Sequence, residues 1–252
     1  MRISRNHPRF RSLETRERLV RGFQAGIVAP QGLIAHGRGE AFDYLFGEIT
    51  PKSSQAASRV AAALLLSARN PVISINGNTA ALIARDIVRL AHSIPAGLEV
   101  NLFHKSVARE RRIASLLKRN GASRVFGVNA SFRSRVPGVA SARRIVDAEG
   151  IGDADVVLIP LEDGDRAEAL RKAGKMVIAI DLNPMSRTSQ AAAVTIVDNI
   201  IRAVPELVRF TMKMKPLSRS RLSAMVANFD NERNLRRAMK DMIHYMQGWA
   251  QS

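Results

Sequence analysis

Residues 155–187 read DVVLIPLEDGDRAEALRKAGKMVIAIDLNPMSR, and the fold follows from this stretch. The apolar runs at 156–159 and 176–180 do not alternate with polar residues, so each suits a strand covered on both faces. Residues 165–173 between them have the length and composition of a helix. A strand–helix–strand unit of this kind places both strands parallel in one sheet. Reading outward, Val72–Ile75, residues 98–103, residues 125–128 and residues 194–197 supply four more short apolar runs. Helices are expected between them at residues 79–93, at the basic segment Val107–Arg119, and, weakly, near residues 140–146. The pattern predicts an open, mainly parallel, doubly wound α/β sheet.

Helical extensions flank this core. Upstream, residues 11–27, a helix starting near Gly39, and the alanine-rich residues 53–68 read as helices, the last stopped at Asn70-Pro71 because proline disfavours helix in the residue before it. Downstream, Leu235, Met239, Met242, Met246 and Trp249 recur every three or four residues, a stripe assigned to packing or subunit contact. The expected organisation is a helical segment at 1–70, an α/β core at 71–200 and terminal helices at 201–252, packed as one domain.

Composition narrows the chemistry. The 252 residues include no cysteine, which excludes disulfides, thiolate metal sites and thiol nucleophiles. The basic start MRISRNHPRFRS has no apolar stretch after it, and no run approaches a membrane span, so a cytoplasmic protein that does not bind membrane is expected. A net charge of +17 marks an anion attractor. The arginines at 9–21 and 109–119 make a basic nucleic-acid-binding module the alternative reading, although aromatics are only 5% and no base-stacking signature is present.

In a parallel sheet, ligands bind beyond the carboxyl ends of the strands. Those ends carry, in order, Asn76-Gly77-Asn78-Thr79, Asn101 with His104-Lys105, Asn129, Glu162-Asp163-Gly164-Asp165-Arg166, Asp181 to Arg187, and Asp198-Asn199. Polar groups thus gather on one rim. The sequence has neither GxGxxG after the first strand nor a GxxxxGK[ST] loop, which disfavours a dehydrogenase and a P-loop enzyme. The motif LIAHGRGEAFDYL at 33–45 adds His36, Arg38, Glu40 and Asp43. Glu40 and Asp43 share a helical face and either bind magnesium through phosphates or pair with Arg38. The five histidines are scattered, so His36 reads as a structural or substrate-positioning residue rather than a metal ligand, and no protein metal site is assigned.

Taken together, LIAHGRGEAFDYL, INGN at 75–78, NLF at 101–103, IPLEDGDR at 159–166, IDLNPMSR at 180–187 and TIVDNI at 195–200 resemble the archaeal 4-phosphopantoate–β-alanine ligase (phosphopantothenate synthetase) family. The resemblance runs from about His7 to the helix after Asn199. It implies a homodimeric, Rossmann-like enzyme of coenzyme A biosynthesis that joins (R)-4-phosphopantoate to β-alanine with ATP and magnesium, releasing AMP and diphosphate. It places ATP contacts on Arg16, Arg38, Asp181, Leu182, Asn183, Arg187, Thr188, Asn199 and Ile200. The chemistry asks for cations where phosphoryl charge grows, for which Arg38 and Arg187 are candidates. A base must take the ammonium proton, for which His36, Glu162 and Asp163 all stand open. Asn76, Asn78, Asn101 and Arg166 are assigned to the acid substrate, and the residues that grip its phosphate are left open.

Overall fold

The computed structural model describes residue 4 and residues 6–7, 9–128 and 133–251. Three helices lead, α1 (Phe10–Gln24), α2 (Pro30–Leu45) and α3 (Lys52–Ser67). The α/β core follows as β1 (Pro71–Ile75), α4 (Gly77–Ser93), β2 (Gly97–Val100), α5 (Val107–Arg119) and β3 (Val125–Phe126). A short hairpin, β4 (Arg133–Arg135) and β5 (Ile145–Asp147), precedes β6 (Val156–Pro160), α6 (Gly164–Lys172), β7 (Met176–Ile180), α7 (Arg187–Ala191) and β8 (Val194–Ile196). Helices α8 (Ile200–Met214), α9 (Arg219–Ala227) and α10 (Asn231–Ala250) close the chain.

Six strands form one sheet in the order β3-β2-β1-β6-β7-β8, with every pairing parallel. Ile73 sits between Leu98 and Leu158 in register. The chain winds outward from β1 in one direction and from β6 in the other. The point where the order reverses therefore lies between β1 and β6, and leaves a crevice past their carboxyl ends. Side chains alternate across the sheet. Ile73, Ile75, Leu158, Ile178 and Ile180 face a core shared with α3, α4, α5 and α8. The smaller Val72, Val157, Val177 and Ala179 face a second core under α6 and the hairpin.

The sequence reading of the sheet holds for all six strands, and two local expectations need correction. The weak helix near residues 140–146 is a single tight turn, Ala142–Arg144, running into β5 of the antiparallel hairpin. Pro137-Gly138 turns the chain there, with Gly138 at φ +83°, a conformation open to glycine. The helix expected to start at Gly39 instead starts at Pro30, whose fixed φ suits a first helical position, and continues through three glycines. One of them is needed for close approach, since a Cβ on Gly32 would lie 2.4 Å from Asn78 Oδ1. Asn129 lies outside the described residues. In the α10 stripe, Leu235 and Met242 are buried against the core, while Met239, Met246 and Trp249 are at least partly exposed.

Candidate active site

A cavity of about 320 Å³ occupies the crevice between the two halves of the sheet. Its lining follows the sheet order. Leu102, Phe103 and His104 come from the end of β2, Asn76, Gly77 and Asn78 from β1, Leu161 and Asp163 from β6, Leu182 from β7, and Asn199 and Ile200 from β8. Helix α2 roofs it with Gln31, His36 and Glu40. Arg143 reaches in from the hairpin turn and Arg109 from the first turn of α5.

The floor is held by internal pairing. Asn76 caps α4, its Oδ1 accepting from the Thr79 amide at 2.9 Å, while its Nδ2 donates to the carbonyls of Pro160 and Leu161 at 3.0 and 3.1 Å. One side chain thereby stitches β1 to β6 at the switch point. Leu161 lies in the left-handed region at φ +54°, a conformation a branched side chain adopts only when its surroundings hold it there. Asn78 donates to the Gly32 carbonyl at 2.8 Å and ties the roof to the floor. Beneath them Glu162 is clamped between Arg143 and Arg166, and Asp163 accepts from Arg143 at 3.0 Å. Arg166 is fully buried and also donates to Ser74 at 3.0 Å. Burial lowers the pKa of Arg143 and of Arg166 to about 10, and both stay charged at neutral pH.

A further buried acid secures the hairpin. Glu99, on β2, accepts from the backbone amides of Asp147 at 3.2 Å and Ile151 at 2.7 Å. Burial pushes its carboxyl up to about 7. Asn101 donates to the Ile145 carbonyl at 3.1 Å, so it too holds the hairpin and does not line the main cavity.

The α2 side is a second polar network. Glu40 pairs with Arg16 at 3.1 Å, and Asp43 with Arg202 and with Asn199 Nδ2, the latter at 2.7 Å. Arg202 also binds Asp198, whose carboxyl is pushed up by burial to about 6. Where Glu40 and Asp43 pair, their partners are Arg16 and Arg202 and not Arg38. His36 differs from these neighbours. Its Nε2 is buried without a hydrogen-bond partner, and burial holds the imidazole below its ordinary pKa. At the β7 and β8 ends, Asp181 accepts from the Asn183 amide at 3.0 Å and from the Ser186 hydroxyl at 2.5 Å, and Asn199 caps α8. Burial raises the Asp181 pKa, opposed in part by the nearby Arg38, which is exposed. No three His, Asp or Glu side chains cluster as a metal cage among the described residues.

The model of the phosphopantothenate/pantothenate synthetase family matches residues 53–245. This chain belongs to that family. A curated relative from Thermococcus kodakarensis, the 4-phosphopantoate–β-alanine ligase, is 47% identical over 234 residues, covering 92% of this chain and 89% of the relative. The protein of the same name from Methanosarcina mazei is 46% identical over 248 residues, 98% of this chain and 97% of its own. That from Methanospirillum hungatei is 51% identical over 212 residues, 84% and 86%.

In this phosphopantothenate synthetase family member, the residues singled out from sequence fall into three groups. His36, Asn76, Asn78, Asp163, Leu182, Asn199 and Ile200 line the cavity. Arg16, Glu162, Arg166, Thr188 and Asn101 lie behind it as supports, Thr188 by donating to the Glu162 carbonyl at 2.9 Å. Arg38, Asp181, Asn183 and Arg187 sit on the outer side, Arg187 paired with Glu168 at 2.9 Å. Arg143 was missed because its segment reads as helix. Arg109 was missed because its helix reads as a uniform basic face. The signal against a helix there is the Pro137-Gly138 turn just before it.

Proposed function

We propose that the chain is an ATP-dependent ligase that condenses (R)-4-phosphopantoate with β-alanine to 4′-phosphopantothenate in coenzyme A biosynthesis, releasing AMP and diphosphate. The observation that carries this reading is the convergence of loops from five strand ends and α2 on one cavity, in a chain 46–51% identical to enzymes named for that reaction. A carboxylate oxygen attacks the ATP α-phosphorus, the bond to diphosphate breaks, and an acyl adenylate forms. The β-alanine nitrogen then attacks the acyl carbon, AMP leaves, and the ammonium proton passes to a base. His36 suits that role best, since it lines the cavity with a buried, unpartnered Nε2 and burial favours its neutral form. Glu162 suits it poorly, since a guanidinium occupies each of its oxygens. Arg38 beside the Asp181 turn places a cation where phosphoryl charge grows. The residues present do not fit a resident metal ion, because Glu40, Glu162 and Asp163 are already paired. Magnesium belongs to this reading as the counter-ion that ATP brings.

The same reading places the enzyme in the cytoplasm as a homodimer. Among the described residues no helix is long and apolar enough to cross a membrane. Tyr44, Leu45, Ile243 and Met246 leave an apolar face exposed on α2 and α10, suited to a second copy. The alternative of a basic nucleic-acid module keeps Arg9, Arg11, Arg21, Arg111, Arg112 and Arg119 as exposed cations, but Arg16 pairs with Glu40, Arg18 with Glu14, and Arg109 lines the cavity.

The test separates the two half-reactions. Wild-type protein should exchange labelled diphosphate into ATP only when 4-phosphopantoate is present. His36→Asn should keep that exchange while lowering amide formation on the order of 100-fold, the usual loss of a general base. No acid-dependent exchange by the wild-type protein would sink the proposal.

A further inference from the structure

The cations of the cavity are not equivalent. Arg143 is neutralised, with Glu162 and Asp163 both against its guanidinium. Lys105, next to the lining residue His104, is paired with Glu110 at 3.5 Å. Arg109 lines the cavity and forms no salt bridge among the described residues. Its guanidinium is nevertheless held in place. Nε donates to the Ile27 carbonyl at 3.3 Å and Nη1 to the His104 carbonyl at 2.9 Å, one from the α1–α2 connection and one from the β2–α5 loop. The Arg109 amide is itself positioned by the Ser106 cap of α5, whose first turn adds the partial positive charge of a helix start. The nearest acid, Glu110, is already paired with Lys105, and a fixed, half-buried cation without an ion pair in a cavity calls for an anionic ligand group.

The sheet order says which group. Arg109 enters from the β2 end, whereas Leu182, Asn199 and Ile200, on the side assigned to ATP, come from β7 and β8. Four strand steps separate β2 from β8, roughly 19 Å at the usual spacing between neighbouring strands. An acid whose carboxylate reacts at the ATP α-phosphate and whose phosphate is at its other end must point that phosphate away from β8. Between the β8 side and Arg109 the lining carries Asn76, Asn78 and Arg143.

We infer that Arg109, pinned by the carbonyls of Ile27 and His104, is the phosphate-recognising residue that makes the enzyme select a phosphorylated hydroxy acid. This rests on the ligase reading above and deepens it. The experiment measures KM for 4-phosphopantoate, β-alanine and ATP in Arg109→Gln and Arg109→Lys. Arg109→Gln should raise KM for 4-phosphopantoate at least tenfold, the loss expected for a charge-assisted hydrogen bond, with the other two KM values within threefold. Arg109→Lys, keeping the charge and losing the fork, should fall between wild type and Arg109→Gln. Inorganic phosphate should compete with 4-phosphopantoate in the wild type and lose that effect in Arg109→Gln. An unchanged KM for 4-phosphopantoate in Arg109→Lys and Arg109→Gln overturns the assignment. So does a rise confined to β-alanine, which would give the cation to the amino acid's carboxylate. Should Arg109→Gln fail to fold, an Arg109→Lys variant with wild-type KM for the acid and unaltered phosphate competition overturns it as well. Wild-type protein inactive with all three substrates would instead refute the ligase reading.

Discussion

On the floor of the cavity Arg143, Glu162 and Arg166 compensate one another's charge, whereas on its rim Arg38 and Arg109 have no salt bridge among the described residues. Both regions use arginine, and the difference is burial. A guanidinium with no access to water must have its counter-charge in the fold, while one facing a cavity can wait for it in the ligand. If the floor serves stability and the rim recognition, as proposed above, substitutions in the two should fail in different ways.

The largest contrast is expected at Glu162. Glu162→Ala leaves Arg166 buried without a carboxylate and Arg143 with Asp163 alone, and should cost about 4 kcal/mol of stability, as for breaking buried ion pairs generally. In a chain of this size that is a fall in Tm on the order of 10 °C, measured by thermal unfolding. A variant melting within 2 °C of wild type (roughly 0.5–1 kcal/mol) would show that the floor is not held by charge.

Glu99 sharpens the comparison through pH. Its folded pKa, about 7, is above its ordinary 4.5, so between those values the folded state holds more protons than the unfolded one. Stability from this group is thus greatest at low pH and declines as pH rises toward 7, by at most about 3 kcal/mol in total. Glu99→Gln cannot titrate, so its melting temperature should vary less than the wild type's over that window. Equal slopes would mean that the hairpin anchor is solvated. Asp198, pushed up to about 6, adds a slope of the same sign that both proteins share.

The smallest effect on folding belongs to the rim. Arg38→Ala should change stability by less than about 0.5 kcal/mol, as for exposed substitutions, yet lower diphosphate exchange at least tenfold. Loss of both together would place Arg38 on the floor instead.

The sheet was legible because apolar runs without alternation have few other readings, and 156–159 with 176–180 fix the parallel sense. The site was legible to the depth of strand ends, which topology alone brings together. What sequence could not resolve was direction. Glu162, Arg166 and Asn101 carry the right chemistry on the right loops, but their side chains turn toward the interior, where Arg143, Ser74 and the Ile145 carbonyl meet them. Arg109 shows the converse. Its helix is basic on many sides, and only the carbonyls of Ile27 and His104, 82 and 5 residues away in sequence, draw that one guanidinium to the cavity. The arginine-rich stretch before β5 failed for another reason, since a three-residue strand is too short to show a period.

The hairpin of β4 and β5 hangs on the crossover between β3 and β6, and no strand of the main sheet pairs with it. It is held by the two carboxyl oxygens of Glu99, by Asn101, by Val136, Val139 and Val146 in the second core, and by Arg143 against Glu162 and Asp163. Only the turn at Gly138, where an added Cβ would meet nothing within 4 Å, is open to insertion without disturbing that packing. Sequence change is therefore cheapest at that turn, and it leaves the strand ends that line the cavity as they are.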